Sequence, residues 1–281
     1  MKTKKHRNRD KHAAVRGQIV MIILVIIFAY PFAYMVSTSF KTMSEIFRSG
    51  LNLIPDEPTI ENYKKVFTSL PIGSYLFNST GIALIAMVAK IITSVLAAYA
   101  LVFMDFKGKN ALFYFFSMTM FIPFTVIIMP NYLTINKMHL LSTLVGVALP
   151  QMADAMGIIR IRQAMRQIPK SLVEAARLDN VPHFTTMTKV VIPLVKPSIG
   201  AMSILFFINS WNEYFWPLLI LKSNKMSTIT LALQQFTSGE SGSAWGSSMA
   251  LATVATVIPF VLYLIFQRYI IGTFMSSGVK E

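Results

Sequence analysis

Three long stretches of this chain carry no charge at all. Gly17–Phe40, Ala111–Asn136 and Ser241–Gln267 contain no Asp, Glu, Lys or Arg. Each exceeds the roughly 20 residues that a helix needs to cross a hydrocarbon layer about 30 Å thick. Within lipid, backbone N–H and C=O groups must pair internally, which leaves helices and closed barrels as the spanning structures. A barrel would repeat alternating segments of about 10 residues, and no such pattern is present. The expected class is therefore an all-α, polytopic membrane protein. The charged fraction, 14%, agrees, since soluble domains run near roughly 25%.

Six spans are predicted, near 18–40, 72–104, 111–133, 140–160, 197–221 and 249–271. Three of them enclose a charge: Lys90, Asp154 and Glu213. The first follows a basic stretch, yet its apolar run is long for a cleaved signal and no A-x-A site ends it, so it reads as a retained anchor. The layout divides into a basic tail at 1–17, a first span with its external loop at 18–71, a core at 72–271 and a tail at 272–281. The first dozen residues read as disordered. Outer loops at 41–71 and 222–248 are long.

The net charge of +14 could point to nucleic acid, but its distribution points to topology. Of the 26 Lys and Arg, 18 fall in 1–16, 105–110, 160–196 and 268–281, while seven fall in the alternate loops. That is the positive-inside bias. It puts both termini and the 160–196 segment in the cytoplasm and leaves no excess charge for a nucleic-acid partner. The chain has no cysteine, which excludes disulfides, thiol catalysis and thiolate metal sites.

Between two apolar runs lies "EAARLDNVPHFTTMTKVVIPL", residues 174–194. Ser171 followed by Glu174 has capping-box spacing. Leu172, Ala175 and Ala176 share a helix face. Asn180 enters the left-handed conformation readily and can end the helix. Pro182 can start the next one. The reading is a short helix of about eight residues, roughly 12 Å, then a turn, then a helix running to Pro193. A face made mostly of Ala holds lipid poorly but lets another protein's backbone approach.

These residues resemble the signature loop of membrane subunits of bacterial ABC importers: E-A-A, two residues, D-G, about nine residues, I-x-L-P. Glu174, Ala175, Ala176, Asp179, Ile192, Pro193, Leu194 and Pro197 match. "PTIENYKKVF", "AYALVFMDFKGK", "IPKSLVEAARLD", "SWNEYFWPL" and "QRYIIGTFMSSGVKE" follow in order as in the carbohydrate branch, in the subunit similar to the smaller maltose-type permease. Asn180 replaces the usual Gly, and Ser277 and Glu281 depart from the usual tail. The resemblance implies the type I importer permease fold with six spans. It also implies a coupling helix that docks on an ATPase, with Glu174 at the docking surface, Ala175 and Ala176 allowing close approach, and Asp179 and Asn180 holding the turn. Implied partners are a second homologous permease, an ATPase dimer carrying ATP and Mg, an extracytoplasmic solute-binding protein that would meet the long outer loops, a sugar or oligosaccharide and membrane lipid. No cofactor, metal or catalytic residue is expected on this chain.

The chain has no phosphate-binding G-x-x-x-x-G-K-[ST] loop. Its one Gly-Lys pair, Gly108–Lys109, has Phe103 where the first Gly belongs and Asn110 where Ser or Thr belongs. Among the charges inside spans, Lys90 and Glu213 can pair, and Asp154 can snorkel or cap. Asn209, Trp211, Asn212, Glu213 and Tyr214 mix ring faces with hydrogen-bonding groups, which suits a sugar on the translocation path. They equally suit a polar cluster that packs helices. Two rivals from other classes are weaker. "GESG" at 239–242 matches a serine-protease motif, but no His follows Ser241 to serve as base. A gradient-driven secondary transporter or channel is the other alternative; such folds often show inverted repeats, and none is found.

Overall fold

The computed structural model describes the backbone of residues 2–238 and 244–278. Its helices are α1 (Lys2–Ser39), α2 (Met43–Ser49), α3 (Glu61–Ser69), α4 (Ile72–Phe103), α5 (Lys109–Thr119), α6 (Phe124–Lys137), α7 (Leu144–Ala148), α8 (Ala155–Met165), α9 (Lys170–Leu178), α10 (His183–Thr186), α11 (Ile192–Asn212), α12 (Phe215–Ile220), α13 (Ile229–Ser238) and α14 (Trp245–Gly278). No strand occurs among the described residues. Four segments are unbroken spans by length and composition: Val15–Ser39, Ile72–Phe103, His183–Asn212 and Trp245–Gln267. Two bent pairs bring the number to six, α5 with α6 at 100° and Leu144–Gln151 with α8 at 53°.

The sequence expectation of six spans holds, with corrections to their shape. The third breaks at Pro123, which caps α6 and disfavours helix in the residue before it. The fourth breaks before Asp154, an extended N-cap residue whose carboxylate accepts the Gly157 N–H at 2.7 Å. The fifth neither begins at 197 nor reaches 221. It runs from His183 through a π turn at Met187–Val191 into α11 and stops at Asn212. Pro193 was expected to end a helix. It sits instead in the first turn of α11, where a missing N–H is tolerated, behind a π turn that has shifted the hydrogen-bond frame. The basic N-terminal stretch, expected to be disordered, continues α1 from Lys2. It contains no Gly or Pro before Gly17 to interrupt the helix. The tail continues α14 to Gly278.

The chain divides into two compact units, residues 1–70 with 236–255 and residues 71–235 with 256–281. In the first unit the 41–71 loop is folded. Lys41 is 1% exposed. Its ammonium donates to Ser49 Oγ at 3.0 Å and to the Asn52 carbonyl. Buried Glu45 accepts the Asp56 N–H at 2.7 Å. Asn62 Nδ2 donates to the carbonyls of Ser39 and Lys41 at 3.0 and 2.8 Å. Its Oδ1 accepts from Ser247 Oγ at 3.4 Å.

In the second unit α4 is the central helix. Val95, Ala98, Tyr99 and Phe103 from its lower half form one core with Ile161 and Met165 of α8, Val173 of α9, Met187 and Val191 of the π turn, and Met202 and Phe206 of α11. Nearer the other end, Ile82 packs with Ile135, Val147, Trp216, Ile220 and Leu221. Asn78 Nδ2 donates to the carbonyls of Lys225 and Ser227, and Ser79 Oγ accepts the Ile229 N–H at 2.9 Å. Within this unit the expected outer loop from 222 onward is thereby stitched to α4.

Candidate coupling loop and intramembrane polar cluster

Helix α9 begins at Pro169, which serves as N-cap without any side-chain hydrogen bond. The expected Ser171–Glu174 capping box therefore does not form. Ser171 is already the second helical residue, too far inside the first turn to act as a cap. Val173, 3% exposed, anchors the helix in the α4 core, and Ala176 lies half-buried on the same side. Ser171, Leu172, Glu174, Ala175, Asp179 and Asn180 are exposed.

The end of α9 behaves as the sequence predicts. Asn180 has φ +54°. Its N–H reaches the Arg177 carbonyl at 3.0 Å, and the Val181 N–H reaches Ala176 at 2.9 Å. These two bonds form a Schellman motif with Asn in the position that glycine usually fills. Asp179 is the C-cap, with its N–H on the Ala175 carbonyl at 3.1 Å. Pro182 then starts α10.

Two tethers that the sequence reading did not single out hold this loop to the Phe103 end of α4. The Arg177 guanidinium donates to the Phe103 carbonyl, an orphan at the helix C-terminus. The Tyr99 hydroxyl meets His183 Nδ1 at 3.2 Å, with the rings edge-on at 6.1 Å. Leu178 and Phe184 were also overlooked. They are 84% and 70% exposed, on either side of the Asn180 turn. Their only signal in the sequence is that both are large and apolar in a polar loop. The outward surface thus combines Glu174, Ala175, Leu178 and Phe184, while the inward surface is pinned.

The charges inside the spans are arranged differently from a simple pair. Lys90 is 7% exposed, with its ammonium 5.4 Å from the Phe206 ring centroid. Asp154 and Glu213 are the acidic residues expected within the spans, and each carboxylate is committed to a helix start. Asp154 caps α8, and Glu213 Oε1 accepts the N–H groups of Phe215 and Trp216 at 2.9 and 3.1 Å. At Asp154 the helix dipole also favours the anion, whereas Glu213 stands at the C-cap of α11 as well. Around the break in the fourth span, Thr93 Oγ1 donates to the Met152 carbonyl and Ser210 Oγ to Gln151 Oε1, at 3.0 and 3.2 Å. Trp211 is buried and stacks on Phe207 at 5.8 Å. Asn209, Asn212 and Tyr214 are exposed. The 239–242 stretch with the protease-like motif lies outside the described residues.

Four unbroken spans, two bent pairs that make six if each is one span, and a pinned helix-turn-helix suit a transport permease. The chain belongs to the binding-protein-dependent transport system inner membrane component family, which it matches over residues 90–273. It is 32% identical over 263 residues to the sn-glycerol-3-phosphate transport system permease protein UgpE of Brucella melitensis biotype 1, covering 91% of this chain and 93% of that one. It is also 32% identical over 261 residues to the arabinooligosaccharides transport system permease protein AraQ of Halalkalibacterium halodurans, covering 92% and 93%. Its fold is that of a solved bacterial ABC transporter involved in the import of the acidic polysaccharide alginate. The TM-score is 0.80 at 22% identity, covering 92% of this chain and 97% of that one. The protein is accordingly a multi-pass permease subunit of an ABC-type importer in the cytoplasmic membrane, and not an enzyme.

Proposed function

We propose that this subunit moves a sugar, an oligosaccharide or a closely related polyol derivative inward by alternating access. A separate ATPase dimer that holds ATP and Mg drives it, and a solute-binding protein loads it. It works beside a second permease. The transport systems for which the relatives are named, for arabinooligosaccharides and sn-glycerol-3-phosphate, support the substrate class. The charge bias supports an orientation with the 160–196 loop and both termini in the cytoplasm. Asn209, Asn212, Glu213 and Tyr214 are the groups proposed to flank the pathway, with Lys90 behind them. Trp211 packs inward and supports the helix that carries them.

One observation carries the coupling reading. The loop is fastened inward by Val173, Arg177 and His183 while Glu174, Ala175, Leu178 and Phe184 face out. A rigid lever gripped from outside needs that arrangement: force on the exposed face passes through the tethers into α4 and, through the π turn, into α11. Ala175→Trp tests it. Ala175 is exposed, so the bulky ring should leave the permease's thermal stability unchanged yet abolish copurification of the ATPase and ATP-driven uptake in vesicles. Full uptake with Trp at this position would refute docking through α9.

A further inference from the structure

Residues 49–55 form a charge-free tip in the segment that follows α1, and the function above does not use them. Arg48 and Asp56 close the tip with an ion pair at 2.9 Å. Four consecutive carbonyls inside it each accept a side-chain donor. Tyr34 Oη donates to Gly50 at 3.2 Å, Tyr30 Oη to Leu51 at 2.5 Å, the Lys41 ammonium to Asn52, and Ser37 Oγ to Leu53. The Ile54 N–H goes to Asn52 Oδ1 at 3.3 Å. Carbonyls of a turn in water need no such partners, because water supplies the donors. Three hydroxyls and an ammonium committed to one turn are what irregular backbone needs where water is scarce.

Depth along the span agrees. The three hydroxyl donors stand at i, i+4 and i+7 on α1, one polar stripe on an otherwise apolar helix. The tip therefore runs back along α1 instead of leaving its end. Tyr30 lies about 21 Å of helix beyond Arg16, the last cation before the charge-free run. In a layer about 30 Å thick, that puts the Leu51 carbonyl roughly 9 Å below the far surface. Interfacial elements bury apolar side chains at this depth. Leu51 and Ile54 are 73% and 75% exposed. Surfaces that meet another membrane helix favour small residues, which let backbones approach, whereas these large branched side chains suit acyl chains. We infer that the tip is an interfacial anchor, with Leu51 among the acyl chains of the leaflet opposite the basic N-terminal stretch, Ile54 shallower, and the Arg48–Asp56 pair at the headgroups. Under the orientation proposed above that leaflet is the outer one; the depth rests only on α1 being a span. The tip is thereby withdrawn from the surface open to a solute-binding protein.

The chain has no cysteine, so single cysteines can be labelled without background from this subunit. Leu51→Cys, Ile54→Cys and Glu57→Cys, all at exposed positions, each receive a nitroxide. The assembled transporter, its other subunits made cysteine-free, is placed in nanodiscs of phosphatidylglycerol and phosphatidylcholine. Electron paramagnetic resonance then compares collisions with oxygen, which concentrates among acyl chains, and with a neutral nickel complex, which stays in water. The ratio of oxygen to nickel collisions should be highest at 51, lower at 54 and lowest at 57, beyond the ion pair. A ratio at 51 no higher than at 57 overturns the insertion. Few collisions with either reagent at 51, the mark of a protein cover, overturn lipid as the occupant in favour of the second permease or the binding protein. Tyr30→Phe frees the Leu51 carbonyl and should raise nickel collisions at 51; an unchanged ratio overturns the sealing role of that hydroxyl.

Discussion

Gly157 is among the tightest points of the core, and filling it should be costly. It stands in the first turn of α8, where its N–H receives the Asp154 cap. A Cβ built there would lie 2.6 Å from Ser94 Oγ on α4 and closer still to Phe206 Cζ on α11. Neither neighbour can move away cheaply. Ser94 is fully buried, and Phe206 is 2% exposed within the main core cluster. Gly157→Val adds three carbons where one does not fit. Overpacking of this kind costs about 1 to 3 kcal/mol, and the wedge between three helices argues for the upper end. The gain in helix propensity on leaving Gly returns less than about 1 kcal/mol. A net loss of about 2 kcal/mol should lower the melting temperature by roughly 4 to 8 °C for a chain of this size. Gly73→Val is the control, because nothing lies within 4 Å of a Cβ at that position. The assay is heat-induced loss of the monodisperse peak of the purified permease in mild detergent. Adding Phe206→Leu to Gly157→Val should recover part of the loss, since the two positions share one space. If both Val variants melt within about 1 °C of the parent, where the cost should be several degrees, the close-packing argument is wrong.

Three further outcomes follow from the geometry. Asn180→Ala should destabilise the coupling loop by about 1 kcal/mol, because a non-glycine residue without a polar side chain pays more for a left-handed conformation, whereas Asn180→Gly should be neutral or better; proteolysis of the 178–184 turn reads this directly. Glu213→Ala removes the cap of α12 and should cost about 1 kcal/mol, while Glu213→Gln keeps an acceptor oxygen and should melt close to the parent; equal losses for the two would dismiss the capping role. Asn62→Ala leaves the Ser39 and Lys41 carbonyls without their donor and should cost about 1 to 3 kcal/mol, seen as faster hydrogen exchange at 39–62.

The chain's membrane character, its number of spans and its helix-turn-helix were legible because each depends on local pattern. Charge-free length decides whether a segment can enter lipid, and Asn180 and Pro182 act on their own backbones. The readings that failed were those where a neighbour decides. Pro193 ended a helix by local rule but was absorbed behind a π turn, where Met187 and Val191 hold to the α4 core. Ser171 had cap spacing, but Pro169 took the position first. Charge alone leaves open whether Lys90 and Glu213 pair. The break at Glu213 gave its carboxylate two backbone N–H donors, leaving Lys90 against Phe206. Sequence by itself determined which stretches leave water, since transfer from water to lipid is a sum over residues. Only the tertiary structure decided where spans break, which face of α9 is pinned and which is free, and that Gly157 must stay small. Those outcomes depend on what other helices bring within a few ångströms, and no local spacing encodes that.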